Sequence, residues 1–176
     1  MTNAMSTVTV HMVASLDGYI VDKDGGVDWL QTSDTYEAGV EHEAPVEGAK
    51  AIGCWVIGSK TYKDVLHLGW PYGDKPTYVL TSRDLRAERE NVRFRSGDLE
   101  RLVNDELKPQ FRSSWLCGGA ALVKECLRLG LVDAISMTIA PIIIGGGLPF
   151  GVVRPLHLRD AKAYKTGLVE LSYDVR

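Results

Sequence analysis

Apolar positions along the chain fall into short β-branched runs separated by segments of helical spacing. Thr7–Ala14 is rich in β-branched residues and predicts a first strand. Ser15-Leu16-Asp17-Gly18 turns the chain, and 22–26 is a polar loop. Ser33 or Asp34 is a suitable N-cap and predicts a helix starting near Thr35. Trp55-Val56-Ile57 reads as a short buried strand, and Lys60–Leu68 as a helix with Tyr62, Val65 and Leu66 on one face. Thr77–Thr81 and Asn91–Arg95 are further strands. Asp98 caps a helix presenting Leu99, Leu102, Val103 and Leu107, with Pro109 expected just beyond its end. Ser114–Cys117 is a strand. Ala120–Leu129 is a helix that Gly130 ends, and Ala134–Ile139 is the next strand. The tail reads as two antiparallel strands, Leu156–Lys162 and Leu168–Val175. Such alternation predicts an α/β fold, a mostly parallel sheet with helices on both faces and antiparallel strands at its C-terminal edge.

Composition narrows the function classes. The 176 residues fit one domain spanning 1–176, with 45% hydrophobic and 24% charged residues, the balance of an ordered globular chain. A net charge of −3 gives no support for a nucleic-acid partner. The longest apolar run, Ile139–Ile144, is far too short to span a membrane, and the N-terminal residues lack the pattern of a signal peptide. Cys54, Cys117 and Cys126 are odd in number and lack CxxC spacing, so buried reduced thiols and a cytoplasmic location are expected. Glu41-His42-Glu43 has no second histidine at ligand spacing, and no metal is expected.

The 18 glycines matter by position. Val56-Ile57-Gly58-Ser59-Lys60-Thr61 and Trp115-Leu116-Cys117-Gly118-Gly119-Ala120 both run from strand through glycine into helix. Helix N-termini carry unpaired N–H groups and partial positive charge, and glycine lets a phosphate approach the backbone. Each junction alone reads as a tight strand–helix turn; as a pair, with hydroxyls at Ser59 and Thr61, they point to nucleotide binding. A third strand end, Thr81-Ser82-Arg83, offers two hydroxyls and a guanidinium for a 2′-phosphate, or is a surface turn. Neither GxGxxG after a strand nor GxxxxGK[ST] is present. Gly145-Gly146-Gly147 either touches the cofactor or only shapes a turn.

In order, Ala14-Ser-Leu-Asp17-Gly18-Tyr-Ile20, Trp29, Val56-Ile-Gly58-Ser-Lys-Thr61-Tyr62, Val79-Leu-Thr-Ser-Arg83, Gly118-Gly119-Ala120 with Leu122, Leu131-Val-Asp133, Pro141 and Gly145-Gly-Gly147 through Pro149-Phe150 resemble the dihydrofolate reductase-like superfamily. The closer resemblance is to the branch containing the C-terminal reductase domain of the bifunctional riboflavin-biosynthesis deaminase-reductase, the RibD C-terminal family. The resemblance implies a three-layer dihydrofolate reductase-like fold and an NADPH-dependent reductase. It implies that Gly58, Ser59, Lys60, Thr61, Gly118, Gly119, Ala120 and Leu122 hold the cofactor, with Thr81, Ser82 and Arg83 at the 2′-phosphate. Ala14 and the loop after Asp17 would frame the nicotinamide. Dihydrofolate reductases usually carry a basic residue directly after the first glycine, whereas Ser59 stands there and Lys60 follows.

Hydride transfer to a C=N bond also needs a proton at nitrogen. The resemblance makes Asp34, five positions after Trp29, one candidate acid, and Asp17 the other. Asp34 fits equally as an N-cap, and Asp17 as a turn residue. Burial of Asp34 in the cleft would raise its pKa. The implied substrate is a small heterocycle of pterin or ribosylaminopyrimidine type, as for a 5-amino-6-(5-phosphoribosylamino)uracil reductase. A dihydrofolate reductase proper, a non-catalytic NADP-binding regulator and a purely structural module are the alternatives. With no deaminase domain preceding it, the reductase is expected to act alone. Trp29 is expected in the cleft lid, Trp55 and Trp115 in packing, and Trp70-Pro71-Tyr72-Gly73 in a surface loop. A homodimer is expected from the same resemblance and from the apolar 139–144 run.

Overall fold

The computed structural model describes residues 6–31, 34–41 and 49–176. In chain order its elements are β1 (Thr7–Ser15), β2 (Tyr19–Val21), β3 (Cys54–Gly58), α1 (Ser59–Leu68), β4 (Thr77–Leu80) and β5 (Val92–Arg95). Then follow α2 (the continuous stretches Leu99–Arg101, Leu102–Leu107 and Lys108–Gln110), β6 (Ser113–Leu116), α3 (Ala120–Arg128), β7 (Ala134–Ala140), β8 (Leu148–Pro149), β9 (Leu156–Ala163) and β10 (Val169–Val175). Eight strands form one sheet in the order β5-β4-β3-β6-β1-β7-β10-β9. Every pair from β5 to β7 is parallel, and β10 and β9 add antiparallel to the edge. The carboxyl ends of β4, β3, β6, β1 and β7 therefore lie side by side along one edge, where open α/β sheets take their ligands.

Strand alternation sends successive side chains to opposite faces. On one face Val8, Val10, Val56, Tyr78, Leu116, Ile135 and Met137 pack against Leu102, Val103 and Leu107 of α2 and Val123, Cys126 and Leu127 of α3. On the other, Trp55, Ile57 and Val79 pack against Tyr62, Val65 and Leu66 of α1. Trp55 and Trp115 do pack in this second layer. Tyr72 joins them, buried, with the Trp55 indole donating to its carbonyl at 3.0 Å. The Trp70–Gly73 turn is thus half core rather than plain surface.

Three other features depart from the sequence-based expectations. No helix starts at Thr35: 34–41 is turn and extended chain, and its backbone pairs instead with the β9–β10 hairpin. The N–H groups of Asp34, Tyr36 and Val40 donate to the carbonyls of Thr166, Lys165 and Ala163. Gly39 lies so close to the hairpin that a Cβ there would stand 2.5 Å from the Lys165 nitrogen. Ser33, the other candidate cap, lies outside the described residues. Second, Pro109 sits inside the last turn of α2 rather than beyond it. The Leu102–Leu107 stretch is π-helical, with Lys108 N–H donating to the Val103 carbonyl. Widening of this kind relieves the clash of a proline ring with the preceding turn. Third, β2 and β8 pair as a separate two-stranded ribbon that the sequence pattern does not mark.

Candidate functional site

β3 and β6 are neighbours in the sheet, so the two glycine junctions that follow them meet. The Gly58 N–H donates to the Gly118 carbonyl at 2.8 Å. A Cβ on Gly58 would stand 3.3 Å from the Gly119 nitrogen. The Thr61 hydroxyl lies 3.3 Å and 3.5 Å from where side chains would begin on Gly118 and Gly119. The Gly118–Gly119 peptide is cis, and Gly118 has φ +115, a conformation open to glycine. Gly58 is the N-cap of α1 and Gly119 that of α3, and neither helix start has a side-chain cap. The first N–H groups of both helices are thus left for another acceptor. Two helix N-termini facing each other across bare backbone suit a diphosphate, and this donor set fits the pyrophosphate of a dinucleotide cofactor.

The remaining candidates surround this pair. Ser59 and Thr61 are half-buried and Lys60 is exposed in the first turn of α1. The Lys60 ammonium lies 3.6 Å from a Cβ built on Gly25, so the 22–26 loop reaches the start of α1. Ala120 is half-buried at the start of α3. Leu122 is half-buried and packs against the core cluster that includes α2. Gly58 is opposite Leu80 in the β3–β4 ladder, so Thr81, Ser82 and Arg83 emerge beside the α1 start. The Thr81 hydroxyl accepts from the Arg83 N–H at 3.0 Å and fixes that turn. Ser82 and Arg83 are exposed.

Ala14 is buried near the carboxyl end of β1. Asp17 follows it and clamps two loops together. Its carboxylate accepts from the Ser15 hydroxyl at 2.6 Å, from the Gly145 N–H at 2.8 Å and from the Ile144 N–H at 3.2 Å. The Ser15 hydroxyl, followed by the two backbone donors, holds the Asp17 carboxyl below its ordinary value. That direction favours a carboxylate and opposes a proton donor. Gly145, with φ +71, is therefore a clamp partner. Gly147 has φ +150, and a Cβ there would collide with the Val21 carbonyl oxygen. It shapes the β2–β8 ribbon. The Asp17–Gly145 contact is not visible in sequence, because 128 positions separate the pair.

Asp34 is exposed, and its carboxylate accepts from the Thr35 N–H at 2.8 Å. Its Cβ lies 3.1 Å from a Cβ built on Gly167, which packs on Pro141 at the carboxyl end of β7. The burial expected of it is not found. Trp29, on a 3-10 turn over Asp28–Gln31, is buried.

On β1, His11 stacks against Trp115 with ring centroids 5.0 Å apart and faces the Ser136 hydroxyl at 3.4 Å. Burial lowers its pKa, partly opposed by Glu170. Cys54, Cys117 and Cys126 are free thiols, and burial pushes Cys54 up to about 11. Among the described residues, no helix is long and apolar enough to cross a membrane.

The sequence profile of the RibD C-terminal domain matches residues 55–169, more than half of the chain. An uncharacterized protein of Bacillus subtilis (strain 168), YwjB, is 31% identical over 143 residues, 80% of this chain and 79% of that protein. Among solved structures, the diaminohydroxyphosphoribosylaminopyrimidine deaminase/5-amino-6-(5-phosphoribosylamino)uracil reductase of Thermotoga maritima aligns with a TM-score of 0.67 at 14% identity, over 99% of this chain and 58% of that one. Dihydrofolate reductase from Enterococcus faecalis aligns with a TM-score of 0.60 at 17% identity, over 97% and 96% of the two chains. These structural likenesses show the fold: the sheet order and layers are those of the dihydrofolate reductase-like class.

Proposed function

The chain belongs to the RibD C-terminal domain family, and from that membership and the paired helix N-termini we propose that it is an NADPH-dependent reductase. Its substrate class in this reading is a pterin or ribosylaminopyrimidine-type heterocycle, and its nearest named activity is that of a 5-amino-6-(5-phosphoribosylamino)uracil reductase. The observation that carries it is the 2.8 Å Gly58–Gly118 contact, which sets two uncapped helix starts against one another.

The N–H groups opening α1 and α3 would bind the pyrophosphate, with Thr61 between them and Lys60 adding charge. Arg83, Ser82 and Thr81 would take the adenosine 2′-phosphate, since a guanidinium forms paired bonds to phosphate oxygens. NADPH, when bound, supplies the hydride. Ala14 gives the nicotinamide ring a flat, small-residue floor. Asp17 holds the loops after β1 and β7 together beside it. We assign proton delivery to Asp34 rather than Asp17, because three donors already hold the Asp17 carboxylate. An exposed carboxylate at that place relays a proton from solvent and orients the ring tautomer.

We also propose a homodimer. The 139–144 run does not support it, since Ala140 is buried in β7 and only Ile143 is largely exposed. The support lies instead at the edge strand β9, where Leu156 and Leu158 are about half exposed beside a fully exposed Val153. Light scattering tests it: a monomer at micromolar concentration rejects the dimer.

Loss of reduced-nicotinamide absorbance is the test of the reductase. It is followed with dihydrofolate, the aminouracil ribotide and small imine acceptors. Turnover with one of them is expected. Tight NADPH binding without turnover of any acceptor indicates a regulator, and no NADPH binding overturns the reading.

A further inference from the structure

The second face of the sheet changes character along its width. Over β3 and β4 it is apolar and covered by α1. Over β1, β7 and β10 it is polar. The β1–β7 register sets His11 opposite Ser136 and Val13 opposite Thr138, and the β7–β10 register sets Ser172 opposite Ser136 and Glu170 opposite Thr138. Residues directly opposite one another share a face, so His11, Ser136, Thr138, Glu170 and Ser172 form one polar stripe. Ser136 and Thr138 are buried at its floor, while His11, Glu170 and Ser172 are half-buried, so solvent reaches it. Buried polar groups on a sheet face, where packing alone asks for apolar ones, are the departure that needs a reason.

The stripe begins beside the glycine cradle. Met12, the neighbour of His11 in β1, has its sulfur 3.9 Å from where a side chain would begin on Gly118. Val10 is opposite Leu116, so His11 comes beside Cys117, the residue before the Gly118–Gly119 peptide. The polar groups keep bonding capacity for a ligand. His11 stacks on Trp115 and turns one ring nitrogen to the Ser136 hydroxyl at 3.4 Å, and its other ring nitrogen bonds no group among the described residues. One Glu170 oxygen accepts from the Tyr164 hydroxyl at 3.0 Å. The charge shown there is negative: Glu170 is a carboxylate, and burial favours the neutral form of His11 against the opposing pull of Glu170. The cations of the adjoining β9–β10 hairpin, Arg159, Lys162 and Lys165, each stand against a carboxylate, of Asp174, Asp160 and Glu41. The residues outside the described ranges contain no lysine or arginine. Phosphate recognition uses the opposite chemistry, guanidinium, ammonium or helix N–H groups.

We propose that the stripe of His11, Ser136, Thr138 and Glu170 binds the substrate, and that it selects an unphosphorylated heterocycle bearing amino or hydroxyl groups over its phosphate ester. The inference rests on the reductase reading above and narrows its substrate class. The Glu170 carboxylate accepts from amino or hydroxyl hydrogens of the ligand. The Ser136 and Thr138 hydroxyls and the free His11 nitrogen either donate or accept, which suits the mixed edge of such a molecule. A phosphate dianion in the same place faces Glu170 instead, and a like charge set against a binding surface is a device for rejecting a ligand.

Two matched pairs of ligands test it: the ribosylaminouracil and its 5′-phosphate, and 7,8-dihydroneopterin and its 3′-phosphate. The members of a pair differ only in the phosphate. In calorimetric titration of the NADP+-loaded protein, the unphosphorylated member of at least one pair should bind about tenfold or more tighter than its ester, and kcat/KM should follow the same order. Glu170→Gln keeps the side-chain shape and an oxygen for Tyr164 but removes the charge. It should bring the two affinities closer by about threefold or more with NADPH affinity unchanged, a shift that a purely structural role would not produce. His11→Phe keeps a ring on Trp115 and should weaken the unphosphorylated ligand about tenfold. Equal or tighter binding of a phosphate ester by the unmodified protein overturns the proposal, whether or not the variants fold. So does binding of neither pair, or an unchanged ratio in folded Glu170→Gln. Failure of the reductase reading is seen separately, as absence of NADPH binding by the unmodified chain before any heterocycle is added, and it takes this inference with it.

Discussion

Gly58→Ala places one methyl group between the two helix starts. Gly58 has φ −83 and ψ 165, which any residue adopts, so the backbone is not strained by the change. The added Cβ would stand 3.3 Å from the Gly119 nitrogen and 4.0 Å from the Gly118 oxygen, a tight contact relieved by a shift of a few tenths of an ångström. Alanine is also a poorer N-cap than glycine. Together these effects should cost about 1 kcal/mol of stability, or roughly 2–4 °C in melting temperature for a chain of this size. The same methyl group occupies the approach of an anion to the opening N–H groups of α1. Losing one charge-assisted hydrogen bond costs about 1.5–3 kcal/mol, which weakens NADPH by roughly 10- to 150-fold. Calorimetric titration gives the affinity, and a thermal melt of the same sample gives the stability. Unchanged NADPH affinity in a folded Gly58→Ala protein would refute the cradle. Gly147→Ala is the contrasting case: at φ +150 and against the Val21 carbonyl, it should lower stability by roughly 1–3 kcal/mol through the β2–β8 ribbon.

Arg83→Ala should weaken NADPH about tenfold or more while leaving NADH nearly unchanged; equal losses in the two titrations would remove its 2′-phosphate role. Asp34→Asn should lower turnover with little effect on cofactor affinity, and an unchanged rate would leave Asp34 as a turn residue only. Asp17→Asn should loosen the Ile144–Gly145 loop, read as faster amide exchange there. Because the Asp17 pKa is depressed in the fold, its stabilisation is present above the ordinary carboxylate value and is lost as pH falls through the lower folded value; the exchange rate of the Gly145 amide against pH checks this. His11 has the reverse charge logic. Its lowered pKa favours the neutral ring in the fold, so stability is intact above the ordinary histidine value and declines as pH drops below it. His11→Gln should flatten that part of the melting-temperature profile.

What the chain's order of residues reveals about this fold depends on distance. The β1 strand, the α1 and α3 helices and both glycine junctions are local, so period and punctuation mark them. The contact that makes the junctions a site is not local: it follows from β3 and β6 being adjacent in the sheet although Gly58 and Gly118 stand far apart in the sequence. The helix expected from Thr35 had a plausible cap and polar, glutamate-rich continuation. Its backbone instead found partners on the β9–β10 hairpin, which only Gly39 allows to approach so closely. Pro109 read as a stop because proline ends ordinary helices, but a π-helical stretch admitted it to the last turn of α2. Asp17 carried a legible turn signal in Asp17-Gly18. Its clamp on Ile144 and Gly145 depends on β1 and β7 lying side by side, which no local pattern encodes.

A crystal of the protein soaked with NADP+ tests the central claim most directly. The account predicts the pyrophosphate between the N-termini of α1 and α3, against Gly58, Thr61, Gly118 and Gly119, with the 2′-phosphate at Arg83. A dinucleotide bound elsewhere on the sheet, or none bound at saturating concentration, would contradict it.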